Sequence, residues 1–227
     1  MAQDIKSIIK FGTTRVILKE AKDVFLSKDK KLAIKKEAGE KDSSWYDNSF
    51  EKYDHWKLHY SLSQYYFLWT VILDRIVRAE VDSILEIGCG PGQLACLIRD
   101  KGVKLYHGFD FSSKRIAQAK KACGEFTFSQ EDAFKTDLFT TYDYSAVICT
   151  EFLEHVEGDI ELLSRIKSGA KFYGTVPNFP YESHVRHFKK ESDVFARYQQ
   201  CFQDLRIDAF LANDRGKTFY LLEGRII

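Results

Sequence analysis

Residues 84–92 read ILEIGCGPG, an apolar run that ends in a turn with glycine at every second position. Few folds accommodate that pairing. Gly88, Gly90 and Gly92 let the backbone turn tightly and approach a bound nucleoside, and Gln93 to Lys101 reads as the helix that follows. An acid, Glu86, stands just before the turn. A second strand, Lys104 to Asp110, ends in another acid, which can hydrogen-bond a ribose diol. An ordinary strand-turn-helix corner requires none of these acids, so Glu86, the three glycines and Asp110 together point to a nucleoside site.

The rest of the chain alternates strand and helix patterns. Strands are expected near Ser83 to Ile87, Lys104 to Asp110, Glu125 to Ser129, Tyr144 to Cys149 and Ala170 to Val176, with helices between them. Two later apolar stretches, Leu205 to Leu211 and Thr218 to Leu222, suit an antiparallel final pair around the charged turn Asn213 to Lys217.

Over about Val81 to Pro180 the chain resembles the class I S-adenosylmethionine-dependent methyltransferases. Their first motif, ExGxGxG, stands here as Glu86, Gly88, Gly90 and Gly92, whereas nicotinamide-binding domains usually show GxGxxG. The resemblance implies a Rossmann-like, seven-stranded, mostly parallel sheet with an antiparallel final strand and helices on both faces. It also implies S-adenosylmethionine as the cofactor. By position, Asp110 would hold the ribose, Phe111 would pack beside the adenine, and Asp132 would bind the adenine amino group with Ala133 and Phe134 alongside. Glu86, Gly88 and Gly90 would complete the donor site, with Thr150 bordering its methionine part. The run TEFLEHV after the fourth strand resembles the quinone-biosynthesis O-methyltransferases.

Three regions are expected: a basic N-terminal extension over 1–44, an aromatic-rich helical cap over 45–80, and the methyltransferase core over 81–227. Residues 1–44 carry eleven Lys/Arg against seven Asp/Glu, so the remainder is slightly acidic under a net charge of +1. The extension suits a helix lying on its own domain or on a partner subunit, or else a membrane surface. The acidic remainder argues against a large nucleic-acid footprint. Five cysteines without paired spacing and no long apolar run suggest a soluble cytoplasmic protein.

From Trp45 the chain becomes rich in aromatics and histidine, and Ser61 or Ser63 is placed to cap a helix running to about Arg78. Tyr46, Tyr53, His59, Tyr60 and Tyr65 are therefore candidate substrate or donor contacts, against the plainer reading that most are packing residues.

Methyl transfer from a sulfonium is an in-line displacement, so oxygen acceptors need alignment and help with deprotonation. Glu151, Glu154 and His155 fall at i, i+3 and i+4, which would put them on one helical face. Beyond the fifth strand, VPNFPYESHVRHF supplies Asn178, His184 and His187. Two carboxylates and one or two imidazoles make a divalent-metal site for Mg²⁺, Mn²⁺, Fe²⁺ or Zn²⁺. The set resembles that of small-RNA 3′-terminal 2′-O-methyltransferases, which implies Glu151, Glu154, His155 and either His184 or His187 as ligands. Without a metal, His155 is the leading general base and His187 the second. The expected activity is O-methylation of a small molecule, such as a sugar or an aromatic hydroxyl. Its rivals are a metal-dependent RNA 2′-O-methyltransferase and a non-catalytic scaffold that keeps the donor fold.

Overall fold

The alternating apolar runs assemble into one sheet of seven strands, in a computed structural model that describes residues 38–213 and 215–227. In chain order these residues form α1 (Ser43–Lys52), α2 (Tyr66–Arg78), β1 (Ser83–Ile87), α3 (Gln93–Asp100), β2 (Leu105–Asp110), α4 (Ser113–Ala122) and β3 (Thr127–Gln130). There follow α5 (Leu138–Thr141), β4 (Ala146–Thr150), α6 (Asp159–Ser164), β5 (Lys171–Pro177), α7 (Glu191–Tyr198), β6 (Arg206–Leu211) and β7 (Thr218–Arg225). The sheet order is β3-β2-β1-β4-β5-β7-β6, with β7 antiparallel to both neighbours and the five earlier strands parallel.

Every residue of β1 is buried, as its continuous apolar run requires when helices cover both faces. Side chains alternate between two cores. Ile84 and Ile148 join Leu68, Ile72 and Ile76 of α2 on one face, while Leu85, Ile87 and Val147 join Leu162 and Val194 on the other. Each such aliphatic side chain contributes about 1.5–3 kcal/mol by leaving water.

The cap departs from its expected form. Helix α2 begins at Tyr66 rather than near Ser61 or Ser63, and two short 3₁₀ turns, Asp54–Lys57 and Tyr60–Leu62, precede it. The His59 ring accepts from the Ser61 amide, a local bond that competes with helix formation. Upstream, Asp42 caps α1 by accepting from the Trp45 amide. Most of the expected basic extension, residues 1–37, lies outside the described residues. Among the described residues no helix is long and apolar enough to cross a membrane.

Candidate active site

In parallel sheets of this order, ligands bind beyond the carboxyl ends of the central strands, where the strand order reverses between β1 and β4. The glycine turn leaves β1 at that point. Gly88 has φ +68°, and a Cβ there would lie 2.4 Å from Cδ2 of Phe152, so the turn admits no side chain without moving that ring. At the end of β2, Asp110 is 6% exposed, and its carboxylate accepts from the Gly90 amide (3.0 Å) and the Ser112 amide (2.8 Å). Burial raises its pKa, while the Arg115 guanidinium and these two amides pull it back down.

A cleft opens here, lined by Asp110 and Phe111 after β2, by Asp132, Ala133 and Phe134 after β3, and by Glu151, Phe152 and His155 after β4. Gly88 lies between these groups, and Tyr46 of α1 adds its ring at 5.1 Å from Phe111 and 6.0 Å from His155. Asp110, Phe111, Asp132, Ala133 and Gly88, each read from sequence as a donor contact, therefore share one cavity. Glu86, Gly90 and Thr150 do not line it. The Glu86 carboxyl takes a hydrogen bond from the Tyr106 hydroxyl, and burial pushes it up to about 7. Gly90 acts through its amide on Asp110, and Thr150 pairs with Thr175 at the end of β4.

The acid and imidazole groups do gather, but not along a helix. Glu151 has φ +53°, a left-handed conformation that costs a non-glycine residue about 1–2 kcal/mol. Thr175 holds it there: its Oγ1 accepts from the Glu151 amide and donates to Glu151 Oε1, both at 3.0 Å. Only a 3₁₀ turn, Leu153–His155, follows. Arg186 secures that turn by donating to the carbonyls of Leu153, Val156 and Glu157 while pairing with buried Asp159.

Glu154 is fully buried, and neither of its carboxylate oxygens accepts a hydrogen bond from the described residues. One of them lies 3.7 Å from Nε2 of His155. Ligand atoms of Glu154, His155 and His184 all fall within 4.8 Å of one another. His155 Nδ1 is 2.9 Å from the Ser183 carbonyl, and His184 Nδ1 is 3.1 Å from the Phe179 carbonyl. A carbonyl only accepts, so each Nδ1 carries the proton and each Nε2 keeps its lone pair free. Fixing the tautomer through the far nitrogen is how metal-binding histidines are oriented.

His187 is exposed and stands outside this group, so the histidine that joins the cluster is His184, three residues earlier. Burial and the neighbouring His184 push His155 down to about 3, and burial lowers His184 to about 4. A base that weak is a poor proton acceptor but an available ligand at any ordinary pH, which counts against His155 as the general base. Burial raises both Glu151 and Glu154, and the Glu151 charge adds to the rise at Glu154.

The expected substrate contacts separate into three places. Tyr65 packs on Trp69 and Phe219, and Glu151 and Glu154 help raise its hydroxyl pKa after burial, so it borders the cluster. Phe179 and Tyr181 bring their rings to 6.1 and 5.6 Å from His184. Tyr53 has its ring 5.7 Å from His55 and does not line the cleft. His59 and Tyr60 line a separate surface groove, where the Tyr60 hydroxyl donates to Asp100. Asn178 donates to the Gly216 carbonyl and accepts from the Thr218 amide, so its side chain latches the loop before β7 rather than meeting a substrate. Sequence reasoning missed Arg115, Phe152 and Val156 as cleft residues, whereas Phe134 lines the cleft beside Ala133 as expected. Arg115 could have been suspected from its place one turn into the helix that follows Asp110.

Sheet order, the glycine turn and the acids at the end of β2 and just after β3 are those expected of the class I S-adenosylmethionine-dependent methyltransferase fold. Residues 84–171 match the family model described as a methyltransferase domain, which together with the fold supports an S-adenosylmethionine-dependent methyltransferase. Magnesium protoporphyrin IX methyltransferase from Synechocystis PCC 6803, solved with S-adenosylhomocysteine, superposes with a TM-score of 0.55 at 19% identity, covering 70% of this chain and 82% of that one. N-methyltransferase NodS from Bradyrhizobium japonicum WM9 gives 0.57 at 14%, covering 71% and 87%. The methyltransferase domain of a bacterial Hen1, CtHen1-C, gives 0.52 at 16%, covering 68% and 95%. These likenesses are of fold. No curated protein matches the sequence.

Proposed function

We propose that this enzyme methylates a hydroxyl of a small molecule with the help of a divalent cation held by Glu154, His155 and His184. The observation that carries the reading is the Glu154 carboxylate: fully buried, without a hydrogen-bond partner among the described residues, and facing two imidazoles whose Nε2 lone pairs are free. A buried ionised carboxylate is costly unless something compensates it, and a cation does so. The residues fit such an ion. Two imidazoles beside a carboxylate suit Mn²⁺, Fe²⁺ or Zn²⁺ better than Mg²⁺, which prefers all-oxygen surroundings.

When bound, the donor supplies an electrophilic methyl on its sulfonium, and the cation supplies Lewis acidity toward a hydroxyl oxygen. The chain's own residues do the rest. Asp110 holds the ribose, while Phe111, Ala133 and Asp132 enclose the adenine. Glu151, oriented by Thr175, is placed to take the hydroxyl proton, because burial has raised its carboxyl toward the pH at which it works. Tyr46, Phe152 and Val156 wall the cleft against water. Tyr65, Phe179 and Tyr181 give the cluster an aromatic flank suited to a ring or a sugar face.

The test is transfer of a tritiated methyl from S-adenosylmethionine to a panel of catechols, phenols, sugars and short RNAs, after chelation and after adding back Mn²⁺ or Zn²⁺. Metal-restored transfer to a small hydroxyl compound, lost in Glu154→Gln, is expected. Transfer that survives both chelation and that substitution, or that goes to the RNA terminus alone, overturns the proposal.

A further inference from the structure

A buried cationic side chain lines the donor cleft. Arg115 lies in the first turn of α4 and is 8% exposed. It lines the cleft with Asp110, Phe111 and His155, yet it makes no ion pair among the described residues, and its Nε has no hydrogen-bond partner. A guanidinium taken out of water in this way has no anion in contact and only the more distant Asp110 charge to offset it.

Its surroundings are constructed rather than incidental. The guanidinium carbon sits 4.9 Å from the Tyr46 ring centre and 4.8 Å from that of Trp56, so cation–π contacts come from two aromatic rings. Each ring is fastened. Asp47, next to Tyr46, accepts from the Ser112 hydroxyl and the Lys114 amide, which ties α1 to the start of α4. On the other side, Gln93 donates to the carbonyls of His55 and Leu58, which flank Trp56. Rings stacked on a guanidinium leave its edge nitrogens to bond in plane, and a carboxylate meets that edge with two parallel hydrogen bonds.

We infer that Arg115 is the receptor for the amino-acid carboxylate of S-adenosylmethionine. The inference rests on the donor reading of the cleft. With its ribose on Asp110, the donor must run its methionine tail past Gly88 toward the reacting centre near His155. Arg115 lines the same cleft as Gly88, Asp110 and His155, and the Tyr46 ring it contacts is 6.0 Å from the His155 ring, so it lies within reach of that path. An acceptor carboxylate would present the same chemistry, and the ligands below distinguish the two sources.

S-adenosylhomocysteine and 5′-methylthioadenosine share the adenosine and the sulfur, but only the first carries an amino acid. Calorimetric titration of both into the full chain, into Arg115→Met and into Arg115→Lys tests the assignment. Losing one partner of a buried, hydrogen-bonded charge pair costs affinity by roughly thirtyfold or more. The expected result is a loss of at least that size for S-adenosylhomocysteine in Arg115→Met, a partial loss in Arg115→Lys, and unchanged binding of 5′-methylthioadenosine, which also reports that the variants fold. Unchanged S-adenosylhomocysteine affinity, or equal weakening of both ligands, overturns the inference. If the unaltered protein binds neither ligand, the donor reading itself has failed.

Discussion

Replacing Glu154 by glutamine conserves volume and removes the ability to become a carboxylate. In the metal-free protein the change should be small, because burial and the Glu151 charge push the Glu154 carboxyl upward, toward the uncharged form that glutamine imitates. The new amide can donate to the free Nε2 of His155, so the variant should lie within about 1 kcal/mol of the parent. In the presence of metal the two proteins should diverge. A ligand that binds only the native state at a hundred times its Kd adds about 2.7 kcal/mol, and a chain of this length gains about 2–4 °C per kcal/mol, so Mn²⁺ should raise the parent's Tm by about 5–11 °C. Without the carboxylate most of that rise should vanish. Thermal melts of both proteins, first chelated and then given Mn²⁺, measure it. An equal rise in the variant, or none in the parent, refutes the assignment of a cation to this cluster.

Two further outcomes follow from the same geometry. Gly88→Ala combines a positive φ with a methyl 2.4 Å from Phe152, and should cost about 1–3 kcal/mol and weaken S-adenosylhomocysteine binding; if urea titrations of the double variant with Phe152→Ala recover none of the stability, the clash is not the cause. Glu86 rises from an ordinary 4.5 to about 7 on folding, so the folded state binds its proton more tightly than the unfolded one. Its share of stability is full below pH 4.5 and falls as pH rises toward 7, by about 3 kcal/mol, and Glu86→Gln should flatten urea stability across that window; an unchanged slope would contradict it.

The strands were legible because period and punctuation agreed: β1 is an unbroken apolar run stopped by glycines, and all seven strands lie within two or three residues of their expected bounds. Asp110, Phe111, Asp132 and Ala133 were legible because each follows a strand end, where backbone geometry fixes position. Sequence spacing failed where tertiary contacts set the backbone. Nothing local announces that Thr175 holds Glu151 in a left-handed conformation, so spacing at i, i+3 and i+4 suggested a helix that does not form. His184 and His187 are equivalent as letters, and only the turn that hydrogen-bonds His184 to Phe179 shows which one faces inward. The position of Arg115 after Asp110 was a hint, but its partners Tyr46 and Trp56 arrive from the cap, which no local pattern reveals. Residues such as Asn178 and Tyr60 satisfy local polar groups, a role that composition cannot separate from substrate contact.

Diffraction from a crystal grown with S-adenosylhomocysteine and Mn²⁺, recorded for the manganese anomalous signal, tests the central claim most directly. The account predicts the nucleoside on Asp110 and Asp132 and an anomalous peak among Glu154, His155 and His184. A donor bound in the cleft beside a cluster with no peak, or a donor bound elsewhere, would contradict it.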